Sequence, residues 1–213
     1  MNEYLPYIFF TLMALLWLCR DNIDGFISRK KVCNPVDKRC YEVSNKYNPI
    51  KDVEASKKLA SVNKFSIEFI RYLRKKFLWN KTSNPYRKKI VQRLLTNYNP
   101  DNLRENVPVG STNTSFVENK GDTFAVCLRN PQLNGKKFVD VHILQFVVIH
   151  ELAHLACEGY GHGREFWTNF KILLQEAEIA KMYKSIDYSK KPTNYCSLIV
   201  NYNPIFDDNI IAF

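Results

Sequence analysis

Glycine and histidine are scarce in this chain. With 7 glycines and 9 prolines in 213 residues, a collagen-like or low-complexity chain is excluded. The six cysteines, at 19, 33, 40, 127, 157 and 196, contain no C-x-x-C pair, which excludes a zinc site built from paired cysteines. Cys33 and Cys40 are close enough in sequence to bridge in an oxidising compartment, which the sequence leaves open. No internal repeat is present. Three Tyr-Asn-Pro triplets begin at Tyr47, Tyr98 and Tyr202, but their flanks differ, and they read as turns. Acidic residues are outnumbered by basic ones, 21 to 31, for a net charge of +10. The excess sits in the first half: residues 20–104 carry 21 Lys and Arg against 8 Asp and Glu, and residues 105–213 carry 10 against 12. No arginine-rich stripe interleaved with aromatics accompanies it. A solvated lysine-rich surface is therefore the favoured reading and nucleic acid the less favoured partner.

What remains is ordinary globular material. Hydrophobic residues make up 46% and charged residues 24%, which excludes a disordered chain and a polytopic membrane protein. Long apolar runs are missing except for one, Tyr4 to Cys19, which carries no charge. It is somewhat shorter than the ~20 residues of a full span. No Lys or Arg precedes it, whereas Arg20, Arg29, Lys30 and Lys31 follow. The reading is an uncleaved membrane anchor over residues 1–19, single-pass, with the rest of the chain on the cytoplasmic side by the positive-inside rule. A signal peptide is the runner-up, and a buried N-terminal helix is the third option. Residues 20–52 read as a tether and residues 53–213 as the folded domain.

Within that domain, apolar residues at helical spacing predict a helix from about Val53 to Leu78. Asn84-Pro85 breaks it, and a short helix fits Arg87 to Leu95. Thr114–Val117 and Thr123–Leu128 read as strands around an Asn119-Lys120-Gly121-Asp122 turn. Asp140 is an N-cap for a helix over Val141–Ala156, apolar almost throughout and therefore buried. A break with three glycines, 159–163, ends it. A last helix runs from about Arg164 to Met182, and Ser197–Val200 is a further strand.

The buried helix carries His150-Glu151-Leu152-Ala153-His154, an H-E-x-x-H pattern. Spacing i, i+4 puts both imidazoles on one helix face, able to grip one ion. Glu151 is turned about 100° from His150, within reach of a water on the metal. Zinc lowers the pKa of such a water toward ~7, and the carboxylate takes its proton as it attacks a carbonyl. All four histidines of the chain lie between 142 and 162. A catalytic zinc takes three protein ligands, and His162, after the glycine break, is the best third. The residue six after His154 is Tyr160, which excludes the metzincin pattern. Glu176 and Glu178 on the last helix are weaker alternatives, as are Glu158 and Glu165. His142 reads as an N-terminal helix residue and Cys157 as a small buried one.

His150-Glu151-Leu152-Ala153-His154 followed by His162-Gly163-Arg164-Glu165-Phe166-Trp167 resembles the WLM and SprT-like zinc metallopeptidases, in particular the small WLM-type chains of large DNA viruses. The likeness covers about residues 105–200. It implies an α+β, minimal zincin-like domain with a small antiparallel sheet, one zinc held by His150, His154 and His162, and Glu151 as general base. It further implies a virus-encoded endopeptidase acting on protein or peptide substrates, with Phe166-Trp167 packing the last helix onto the active-site helix. In such domains a strand before the motif helix binds substrate as an added strand, and Thr123–Leu128 is the candidate. Tyr188 and Tyr195 stand where a tyrosine could donate to a developing oxyanion. The rival readings are an interaction protein with a structural zinc and a DNA-associated protease.

Overall fold

The computed structural model describes residues 29–79, 84–108 and 114–212. The chain runs β1 (Arg29–Cys33), β2 (Cys40–Ser44), α1 (Asp52–Phe77), α2 (Pro85–Asn97), β3 (Leu103–Asn106), β4 (Phe116–Glu118), β5 (Thr123–Cys127), α3 (Val141–Ala156), α4 (Arg164–Ile179), β6 (Thr193–Tyr195) and β7 (Leu198–Val200). The class is α+β, as expected.

Two features of the expected fold need correction. The main sheet is mixed and not antiparallel. Its order is β1-β2-β3-β5-β4, with β2–β3 and β3–β5 parallel and the two outer pairs antiparallel. The parallel pairing of β2 with β3 follows from the connection between them, since α1 and α2 carry the chain back to the starting end of the sheet. The membrane-anchor helix is also not supported. Among the described residues no helix is long and apolar enough to cross a membrane, and the apolar run 4–19 lies outside those residues.

The stretch read as a tether joins the fold from residue 29 onward. β1 and β2 form a hairpin in which Cys33 and Cys40 face each other and are bridged. A buried ion cluster holds this hairpin to the domain. The Arg129 guanidinium, fully buried, donates to Glu105 of β3 at 2.7 and 2.5 Å, to Asp52 at 3.0 Å and to the Ser44 carbonyl at 3.0 Å. Lys30 of β1 pairs with Asp52 at 2.5 Å. Each charge thus has a partner, the condition for burying it at all.

The helices follow local rules. Asn84 accepts from the Tyr86 amide with Pro85 at the first helical position, so Asn-Pro starts α2 as much as it separates it from α1. The three Tyr-Asn-Pro triplets are turns, as read. Asn48, Asn99 and Asn203 each accept from the amide two residues on and open a short 3-10 turn. Asp140 caps α3 through the His142 amide at 2.8 Å. α3 is buried along most of its length, between α2 and α4. The β4–β5 turn places Asn119 and Lys120 at positive φ, the form that suits a tight hairpin. Gly121 follows at φ +114, where a Cβ would collide with the Asn97 carbonyl.

Candidate metal centre

His150 and His154 lie one turn apart on α3. The chain then leaves the helix at Cys157, whose backbone is extended. It turns back through Gly161 at φ +75, a left-handed conformation that glycine adopts without strain. That turn delivers His162 to the two helical imidazoles. The ligand atoms of His150, His154 and His162 all lie within 4.8 Å of one another, and the Nε2 atoms of His150 and His162 are 3.1 Å apart. Two nitrogens on one tetrahedral zinc at ~2.0–2.1 Å lie about 3.3 Å apart, so the spacing suits a shared ion.

The protonation states suit it too. Burial, with His154 and His162 close by, holds the His150 pKa well below its usual value. Burial, His162 and Lys120 bring His154 down to about 4, and burial lowers His162. Neutral imidazoles present lone pairs to a metal. Glu151 is buried, its Oε2 has no hydrogen-bond partner, and burial raises its carboxyl to about 8. An orphaned carboxyl oxygen beside three imidazoles is an acceptor waiting for a proton donor. The residues present therefore fit a three-histidine zinc site with an adjacent carboxyl.

The surroundings fix this geometry. Phe166 of α4 packs against the three imidazoles, with ring centroids 4.8, 4.3 and 4.5 Å from those of His150, His154 and His162. Phe166 thus packs onto the motif helix as expected of the aromatic pair, whereas the Trp167 ring lies against His162 and Tyr202. The loop that carries His162 is clamped from two sides. Glu165 accepts from the amides of Glu158 and Gly159 and is paired with Arg93 of α2 at 2.6 Å. Lys120, from the β4–β5 turn, donates to the carbonyls of Cys157 and Gly159 and lies over the Tyr160 ring. A cavity of about 200 Å³ opens above the histidines, lined also by Ser115, Phe116, Val117 and Lys120.

The alternatives separate cleanly. Glu176 is buried in a salt bridge with Lys76 at 2.6 Å and Arg87 at 2.7 Å, so it braces α1 and α2 against α4. Glu178 accepts from the Ser185 amide, and Glu158 pairs with Arg93. His142 stacks on Tyr183, away from the triad. The buried Cys157 thiol accepts from the Asn169 amide at 3.3 Å and lies outside the cluster of ligand atoms. Tyr188 packs against Phe146 and meets Tyr183. The Tyr195 hydroxyl is taken by Ser115 at 2.6 Å and the Cys127 carbonyl at 2.9 Å. β5 lies between β3 and β4, so the strand expected to accept substrate has no free edge. Among the described residues β4 is the outer strand on this side of the sheet. Lys120, Arg93 and Ser115 escaped sequence reasoning because no spacing links them to the motif.

No family model matches the chain, and no solved structure matches it significantly. The chain is similar to three viral proteins. It is 36% identical over 99 residues to "Uncharacterized protein R325" of Acanthamoeba polyphaga mimivirus, covering 46% of this chain and 49% of the relative. It is 31% identical over 103 residues to "Uncharacterized protein 136R" of Invertebrate iridescent virus 6, covering 48% and 56%. It is 37% identical over 99 residues to "Uncharacterized protein 042R" of Invertebrate iridescent virus 3, covering 46% and 58%. The chain thus spans about half the length of the curated relatives it matches. These relatives support a virus-encoded protein.

Proposed function

We propose that this chain is a zinc-dependent endopeptidase with one zinc per chain, as its resemblance to the WLM and SprT-like metallopeptidases implies. The observation that carries the reading is the convergence of three neutral imidazoles, from His150, His154 and His162, beside a buried carboxyl with an unpartnered oxygen. A zinc ion held there would supply a Lewis acid that activates water and polarises the substrate carbonyl. Glu151 takes the proton from the attacking water and passes it to the leaving amine.

Substrate enters along β4 in this reading. Among the described residues β4 pairs only with β5, and Phe116 and Val117 line the cavity over the histidines. An extended polypeptide added to the free edge of β4 would run past the site, held by main-chain hydrogen bonds. Among the described residues the cluster offers three ligands and no fourth, which favours a catalytic over a structural zinc.

The test is zinc content and hydrolysis of an unfolded protein by the full chain, for wild type, His154→Ala and His162→Ala. The expectation is one zinc in wild type, binding weakened at least tenfold in both variants, and hydrolysis that a chelator stops. A folded wild type that takes up no zinc overturns the reading. So does a zinc-loaded wild type that hydrolyses nothing, which would turn the site into a structural one.

A further inference from the structure

A second cavity, of about 340 Å³, lies beside the first and shares Ser115, His150, Glu151 and His162 with it. Its far walls are apolar. α3 contributes Phe146 and Val147, α4 contributes Trp167 and Phe170, and the β6–β7 hairpin contributes Leu198 and Val200. Among the described lining residues there is no Lys, Arg or Asp, and Glu151 is the one carboxylate. A basic side chain placed here would lose hydration with no charged partner except Glu151.

The hairpin wall is held in place. Cys196 is bridged to Cys127 at the end of β5. Next to it, the buried Tyr195 hydroxyl bonds Ser115 and both backbone groups of Cys127, at 2.6, 3.2 and 2.9 Å. Trp167 packs edge-on against Tyr202, another lining residue, ring centroids 5.3 Å apart. Leu198 is 53% exposed and Tyr202 37%, an apolar rim left open to solvent next to reacting groups. A pre-formed apolar hollow of this kind binds without an ordering cost.

We infer that this cavity is a specificity subsite, taking one large aromatic or branched aliphatic side chain of the polypeptide directly beside the cleaved bond. The inference rests on the peptidase reading. Its occupant follows from continuity: the cavity floor is made by the same His150, Glu151 and His162 that face the scissile bond in that reading. The side chain filling it must therefore belong to a residue flanking that bond. The cavity exceeds a single benzyl group in size, so it does not exclude phenylalanine, tyrosine or leucine, and it rewards them over alanine by apolar burial.

The test is cleavage of a random peptide library by the zinc-loaded full chain, with the new ends identified by mass spectrometry. At one of the two positions flanking the cleaved bond, Phe, Tyr, Leu and Met should be enriched about tenfold or more over Ala, Gly and Lys. Val200→Phe, which puts a ring into the cavity, should shift the preference to smaller residues. Leu198→Ala, at an exposed position, should shift it to larger ones. Cleavage with no apolar preference at either position, or with a preference that neither folded variant alters, overturns the inference. If no peptide is cleaved, the peptidase reading fails, and the cavity is judged separately. The Trp167 indole resonance of the nitrogen-labelled protein then follows titration with N-acetyl-phenylalaninamide and N-acetyl-alaninamide. Binding about tenfold tighter for the phenylalanine compound, lost in Val200→Phe, upholds an apolar side-chain site; equal binding, or none, sinks it.

Discussion

In the peptidase reading, Glu151→Gln separates the burial of this carboxyl from its role as a base. Glu151 sits on the inner face of α3, and burial raises its carboxyl to about 8, against ~4.3 in an unfolded chain. Since the folded-state value is the higher one, the folded protein holds a proton that the unfolded chain has lost throughout that interval. Stability of the metal-free protein therefore falls as pH rises through the window. At about 1.4 kcal/mol per pH unit, the loss from this group between about pH 5 and about pH 8 is roughly 4 kcal/mol. Glutamine keeps the shape and cannot titrate. Urea unfolding of the chelator-treated full chain should find wild type and variant similar near pH 5. Near pH 8 the variant should be the more stable by roughly that 4 kcal/mol. The histidines titrate in both proteins and cancel in the difference. Zinc should remove most of the gap, because a nearby cation favours the ionised carboxylate. With zinc bound, the variant should keep its metal and lose at least about a hundredfold in peptide hydrolysis. A stability difference that does not change with pH refutes the buried, uncharged carboxyl, and an active variant refutes its role as base.

Other perturbations probe the frame around the site. Cys127→Ala with Cys196→Ala opens a loop 69 residues apart in sequence and should cost about 4 kcal/mol, read as a lower urea midpoint than wild type under oxidising conditions. Arg129→Met leaves Glu105 buried without its cation and Asp52 with Lys30 alone and should destabilise by roughly 3–5 kcal/mol; calorimetry showing no change would mean that the cluster is not buried. Glu165→Gln weakens the clamp on the loop that presents His162 and should reduce zinc affinity about tenfold or more with α-helix content unchanged. In the metal-free protein the lowered pKa values of His150, His154 and His162 make the folded state bind fewer protons than the unfolded one below ~6.5. Acid should therefore destabilise wild type in that range more than a His154→Ala variant, as urea midpoints at successive pH values would show.

The candidate site of this protein is local in sequence, and that is why it can be read there. Two histidines four apart on an apolar helix share a face whatever surrounds them, and the structure brings His150, His154 and the loop residue His162 together. Asp140 as a cap and α3 over Val141–Ala156 follow from the same short-range rules. The expected start of the folded domain at residue 53 was too late for a different reason. β1 and β2 show little apolar periodicity, because a hairpin held by Cys33–Cys40 and by the buried Arg129 cluster needs less of it.

Sequence by itself thus picked out the three histidines that the structure brings together, the carboxyl of Glu151 beside two of them and the helix that carries those residues, since each rests on residues within a few turns of one another. Only the tertiary structure decided the rest. Among the described residues it placed β4 and not β5 at an edge of the sheet, because a parallel β3 occupies the other side of β5. It turned Glu176 from a candidate ligand into the partner of Lys76 and Arg87. It brought Lys120 and Arg93 onto the His162 loop and bridged Cys127 to Cys196, so that the C-terminal hairpin walls a second cavity. Those pairings join residues tens of positions apart, and their partners are chosen by how helices and strands pack, which no local spacing records.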